Sequence, residues 1–203
     1  LNYKNNKSQF NLTLDLASSE KFYELKKFLF EEGKNKIKVE DFKLNKNFKI
    51  ISLKNMNVET FNNEKANNKF KVSIGKKINI NGNKYDATNL LNLLDDSNEK
   101  QNLLEGLNKE VKISFDNLQN PYNPVNKFNL IGKITDGSFT KISSKGEFED
   151  GKYLDITLKK DQNSNKKIFE IYSDYPKPLL SNYKFFNDLQ GGKLLINSTF
   201  DDT

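Results

Sequence analysis

Two adjacent carboxylate pairs, Asp95-Asp96 and Asp201-Asp202, come nearest to reaction chemistry in this chain. Paired carboxylates do glycosidase-type acid–base work when their environments push the two pKa values apart. Both pairs lie in polar stretches with nothing beside them to perturb them, so they read as solvated. Other chemistries fall on composition. The chain holds no His and no Cys, which removes Ser-His-Asp and Cys-His activation and the usual zinc and haem ligand sets within it. No Gly-Lys pair precedes Ser or Thr, and neither GxGxxG after a strand nor EF-hand spacing occurs. Phosphate-loop, dinucleotide and calcium-loop signatures are therefore missing. The expectation is a non-enzymatic chain with no metal and no cofactor.

A net charge of +6 from 33 basic and 27 acidic residues raises the question of an anionic partner. Every basic residue is Lys, and the lysines are scattered among the acidic residues, the pattern of a solvated face. The Lys- and Asn-rich usage fits an AT-rich genome. Nucleic-acid binders gather basic residues on one face and expose aromatics for stacking. Here Phe10, Phe70, Phe115 and Phe128 fall on the apolar side of strand alternation instead. Nucleic acid is not expected as a partner.

The elements that would carry any site are strands. Period-two alternation runs through Phe10-Leu12-Leu14-Leu16, Phe70-Val72-Ile74, Val111-Ile113-Phe115, Phe128-Leu130-Gly132-Ile134, Leu154-Ile156-Leu158 and Leu194-Ile196. Polar residues between them predict sheets with one apolar and one wet face. Further strands are expected over 37–44, 48–53, 58–61, 78–80 and 139–148. Asp136-Gly137 and Asp150-Gly151 read as hairpin turns. The low apolar content, 35%, suits a sheet with one greasy face better than a thick two-sided core.

Three stretches carry helical spacing. Ser18 or Ser19 is a cap candidate for a helix with Phe22, Leu25 and Leu29 on one side and Gly33 beyond its end. Leu90, Leu91 and Leu94 form a second. The third takes Ser173 or Asp174 as cap and Pro176 in its first turn, runs over 176–189, and stops at Gly191-Gly192. The polar stretch 95–101 is a loop and divides the chain into possible sub-units, 1–94 with strands and two helices and 102–203 with strands, the helix and a last strand. The chain opens on Leu1 and closes just after a strand pattern, and it is read as part of a longer polypeptide. No run of ~18 apolar residues would cross a membrane as a helix.

The order over 168–202, a strand into Ser173-Asp174, a Pro-led helix, then Gly191-Gly192-Lys193-Leu194 opening a strand, resembles the C-terminal region of AsmA-like proteins, in particular the YhdP-type branch. Gly82–Leu91 is similar to that family's lead-in to a helix. Phe128–Ile134, with Gly137-Ser138-Phe139 and Gly146-Glu147-Phe148 after it, is similar to its strand–Gly–strand series. The resemblance covers about the last three-fifths of the chain. It implies a curved β-groove, an inner-membrane anchor elsewhere in the full-length protein, a periplasmic location, and phospholipid transport toward the outer membrane. It transfers no catalytic residue. Asp174, Pro176, Gly191 and Gly192 inherit turn and cap roles only.

The expected fold is mainly β with a few short helices, a curved antiparallel sheet with one apolar face, and helix 176–189 across that face or its end. Two uses of the face are open. It packs against a second sheet or helices, or it lines a groove for phospholipid acyl chains. Exposing a chain to water costs about 0.8 kcal/mol per CH₂, so a groove needs a continuous dry lining. The residues expected to line it are Val111, Ile113, Phe115, Phe128, Leu130, Ile134, Leu154, Ile156, Leu158, Leu194 and Ile196. The alternative is a closed β-sandwich scaffold that docks other envelope proteins.

Overall fold

A computed structural model describes residues 2–4, 9–88, 104–120, 122–161, 164, 166–180, 188 and 191–201. Thirteen strands follow in chain order: β1 (Asn2–Lys4), β2 (Gln9–Ser18), β3 (Phe22–Glu32), β4 (Asn35–Asn45), β5 (Ile50–Asn62), β6 (Lys65–Ile74), β7 (Lys77–Asp86), β8 (Lys109–Gln119), β9 (Val125–Thr135), β10 (Ser138–Glu147), β11 (Tyr153–Lys160), β12 (Lys166–Ser173) and β13 (Leu194–Asp201). One short helix, α1 (Lys177–Leu180), lies between the last two. All thirteen strands form one curved, open sheet in which spatial order equals chain order. Each neighbouring pair is antiparallel except β7 with β8, which run parallel. A parallel pair needs a long crossover, and the connection over 87–108 supplies it.

The mainly β expectation with one apolar face holds, and the weaker strands are real. Segments 48–53, from Ile50 on, and 58–61 belong to a single long strand, β5. Asp136-Gly137 makes the β9–β10 turn with positive φ at both residues, as Asp150-Gly151 does between β10 and β11. The closed sandwich of the alternative reading is not formed, because all described strands share one sheet.

The first helix expected from spacing is corrected: residues 22–32 are β3. Ser19 does cap, but it caps a turn. Its Oγ accepts from the N–H groups of Lys21 and Phe22 at 3.3 and 3.2 Å, closing the β2–β3 connection. Phe22 and Leu29 face the wet side, opposite Asn45 and Lys38, and Leu25 the apolar side, opposite Phe42, so the helical spacing spans both faces of the strand. In the register, Leu16 pairs with Leu25 and Leu14 with Phe28, so Lys26 is an extra residue and the apolar step lengthens to three. That step mimics the i, i+3 spacing of a helix. Strand β4 takes the same step from Val39 to Phe42, with Asp41 between them at φ 48°, and β5 takes it from Leu53 to Met56. The second expected helix, Leu90 to Leu94, and the loop 95–101 lie outside the described residues. Strands β7 and β8 pair directly, so the sheet continues across the suggested sub-unit division.

Candidate functional site

Partners in a β-ladder point to the same face, so the register decides which side chains share a surface. Across β8 and β9, Ile113 pairs with Leu130 and Phe115 with Phe128, while Ile134 pairs with Lys109 two residues before Val111. Ile134 pairs onward with Phe139, and Leu130 with Ser144. Ser144 pairs with Ile156, Ile142 with Leu158 and Gly146 with Leu154. Ile156 then meets Ile171, and Ile171 meets Ile196, with Ser173 and Leu194 paired beside them. All eleven residues expected on the groove face therefore lie on one surface of the sheet.

Sequence reasoning stopped that surface too early, at Val111. The same ladder logic carries it through Ile78, Ile80, Val72, Phe70, Val58 and Met56, then Val39, Ile37, Phe30, Phe28, Leu14 and Leu12. Tyr85, Leu118 and Val125 also join it. Each follows or precedes the apolar series by three residues: Gly82 to Tyr85, Phe115 to Leu118, Val125 to Phe128. The Tyr85 ring packs on Phe70 and Phe115 at 5.7 and 5.4 Å between centroids, which fixes its side. The missed signal is the three-residue step itself, repeated strand after strand.

Close packing from the neighbouring strand shapes this face at two glycines. A Cβ on Gly82 would stand 2.3 Å from the Lys69 carbonyl oxygen and 2.4 Å from Phe70 Cβ. One on Gly146 would stand 2.3 Å from Val125 Cγ1. Both glycines let an aromatic neighbour lie across the sheet where a side chain of their own would collide.

Two short segments lie on the apolar face. The end of the crossover brings Leu104 and Leu107 against Leu53, Ile74, Ile78, Val111 and Ile134. Its turn is tied to the sheet by Lys49–Glu105 at 3.0 Å and by Gly137 N–H donating to the Leu107 carbonyl at 3.1 Å. At the other end, Tyr175 and Leu179 pack on Val125, Phe128, Phe148 and Leu154. In its described part the Pro-led helix thus crosses one end of the face, as expected. Under these two covers Val111 and Ile134 keep 3% exposure and Phe128 and Leu154 are buried. Phe115, packed on Phe70 and Tyr85, and Leu158 are buried as well. Ile113, Leu130, Ile156, Leu194 and Ile196 stay half-buried. At the β2 flank, Leu14 and Leu16 are 55% and 65% exposed although they share the apolar face. The chain exposes 13868 Å², against roughly 9,800 Å² for a compact monomer of its mass.

The cap assigned to Asp174 is corrected. Its carboxylate does not close α1. It accepts from the Tyr153 N–H at 3.0 Å and the Tyr172 hydroxyl at 2.6 Å, and pairs with Lys193 at 3.4 Å. Chiefly the Tyr172 hydroxyl, then the Tyr153 N–H, hold this carboxyl below the usual range. Asp174 thereby pins β11 and β12 to the start of β13. The turn belongs to Ser173, fully buried, whose Oγ accepts from the Tyr175 N–H at 3.2 Å. The Pro176 carbonyl receives the N–H groups of Leu179 and Leu180, so Pro176 opens α1 as expected. Gly192 adopts φ 91°, a turn glycine in fact, whereas Gly191 has open space around it.

The opposite face is wet and paired. Lys54–Asp41, Lys69–Glu59, Lys127–Glu147 and Lys159–Glu170 bridge neighbouring strands at 2.8–3.0 Å. Each is solvent-exposed and contributes little to stability. Together they set opposite charges side by side on that face. Asp201 is exposed on β13, and Asp95, Asp96 and Asp202 lie outside the described residues. Among the described residues no cluster of three metal-ligating side chains forms, and no helix is long and apolar enough to cross a membrane. No protein-family model, curated protein or solved structure matches this chain.

Proposed function

We propose that the apolar face holds phospholipid acyl chains, and that the chain is a non-catalytic segment of a periplasmic β-groove protein moving phospholipid between inner and outer membranes. The observation that carries this reading is one apolar surface spanning β2 to β13, covered only in part by the described residues. Leaving Leu14, Leu16, Ile113, Ile156 and Ile196 wholly or partly open has a steep hydrophobic cost. An oily ligand lying along the strands removes that cost. Large exposed apolar patches mark binding surfaces in soluble folds. The paired lysines and carboxylates of the other face suit an aqueous compartment. The likeness to AsmA-like proteins over 168–202 supports phospholipid as the cargo and an inner-membrane anchor outside this segment.

Mass spectrometry of the purified chain should find co-purifying phospholipid. Ile156→Asp places a carboxylate on the β11 stretch of the face and should abolish acyl-probe binding while far-ultraviolet circular dichroism stays strand-like. A lipid-free preparation that also fails to bind a fluorescent fatty acid would remove the proposal. A scaffold role by strand addition is the second reading, and it rests on β13, whose outer side has no strand partner among the described residues. It predicts a captured protein strand on β13 and no lipid.

A further inference from the structure

One corner of the sheet carries a feature that neither strand pairing nor the acyl-chain reading uses. The β4–β5 turn is built by Asn45, whose Oδ1 accepts from the N–H groups of Asn47 and Lys49, both at 2.9 Å. That turn holds Phe48 at φ 59°, a conformation suited to Gly or Asn and unfavourable for a bulky side chain. The Phe48 ring is nevertheless 58% exposed. It stacks on Tyr23 at 5.2 Å with planes 12° apart, and Tyr23 is itself 37% exposed. Lys46 Nζ sits 4.1 Å above the Tyr23 ring and 3.1 Å from Ser18 Oγ, with no carboxylate partner among the described residues. Leu16, 65% exposed, is next to this pair through Leu25. Folding alone gains little from an exposed aromatic in a disfavoured backbone conformation.

We infer that this corner, formed by Leu16, Tyr23, Lys46 and Phe48, is a lip that inserts into the surface of an anionic phospholipid bilayer. Aromatic rings favour the bilayer interface, where an apolar body meets a polar boundary, and lysines above them reach phosphate groups. The β2–β3 and β4–β5 turns carry Lys21, Lys46 and Lys49 against Glu20, with Lys49 tied to Glu105, so the charge balance is positive. The lip is continuous with the exposed flank of the apolar face through Leu25, Phe28 and Leu14. A lipid leaving a membrane there would meet apolar side chains without crossing water. The inference rests on the acyl-chain reading of the face and adds the surface from which the chains are taken.

The chain contains no Trp, so Phe48→Trp gives a single reporter that keeps an aromatic ring on Tyr23. With phosphatidylcholine–phosphatidylglycerol vesicles its emission should shift to the blue, and brominated acyl chains should quench it. Flotation of the unmodified chain with the same vesicles gives a second readout free of any substitution. Lys46→Glu should weaken vesicle binding by roughly ten- to thirty-fold, and Phe48→Ser should abolish the insertion. Both variants should retain fatty-acid probe binding on the face, which separates this inference from the reading beneath it. No flotation, equal binding to pure phosphatidylcholine, or a blue shift that appears on raising protein concentration without vesicles would each overturn it.

Discussion

The two flanks of the sheet share one apolar surface but differ in how much of it is dry. In β8 to β12, Val111 and Ile134 are buried where Leu104 and Leu107 lie on the face, Phe128 and Leu154 where Tyr175 and Leu179 lie on it, and Phe115, packed on Phe70 and Tyr85, and Leu158 are buried as well. In β2, β3 and β4 no described side chain is fully buried, although Leu12, Leu14, Leu25, Phe28 and Phe30 continue the same ladder. Patterning therefore sets which side of a strand is apolar. Covering segments decide whether that side becomes core or open surface. The C-terminal flank should carry the cooperative stability of the fold, and the N-terminal flank should be the more open stretch of the proposed acyl-chain surface.

The sharpest way to break this contrast is truncation on each flank. Phe115→Ala should cost about 3–5 kcal/mol, whereas Leu14→Ala should stay within about 0.5 kcal/mol, as exposed positions do. Urea unfolding of both variants measures it, and comparable losses would mean that the flanks are equally packed. A smaller effect tests the crease between them. Gly82→Ala should destabilise by about 1–3 kcal/mol through the clash with Lys69 and Phe70. Gly75→Ala, with open space and no left-handed backbone, should be neutral or stabilise by up to about 1 kcal/mol.

The smallest effect concerns pH and sharpens the contrast at the far end of the C-terminal flank. The folded-state pKa of Asp174 is depressed, first by the Tyr172 hydroxyl and then by the Tyr153 N–H and Lys193. Its stabilisation is present above the unfolded carboxyl value, ~3.9, and is lost as pH falls through the lower folded value. Glu40, beside Lys38 and Asn55, is lowered too, so the wild-type chain loses stability in acid from both flanks. Asp174→Asn should reduce the C-terminal share, to which Glu170 beside Lys159 also contributes, read as hydrogen-exchange protection of β11 to β13 between pH 6 and pH 3. Unchanged acid sensitivity there would show that Asp174 pins nothing.

Much of this was legible in the chain itself. Alternation at Val111-Ile113-Phe115 or Leu154-Ile156-Leu158 has one physical outcome, because successive side chains on a strand point to opposite faces. The turns at Asp136-Gly137 and Asp150-Gly151 likewise follow from residues that tolerate positive φ. Phe22, Leu25 and Leu29 misled because their helical spacing joins side chains from both faces of β3, Phe22 and Leu29 on the wet side and Leu25 on the apolar side. Asp174 misled because a carboxylate ahead of a Pro-led helix looks like a cap until Tyr153 and Tyr172 are seen to take it.

Sequence alone determined that strands with one greasy side would form, and that Ser-His or Cys-His chemistry was absent from the segment, since these depend only on residue type and local period. The tertiary structure decided that thirteen strands join one open sheet, that the face reaches back to Leu12, and that Leu107 and Leu179 cover part of it. Those outcomes depend on register and on segments distant in the chain meeting across the face, and neither is encoded in the spacing of any single strand.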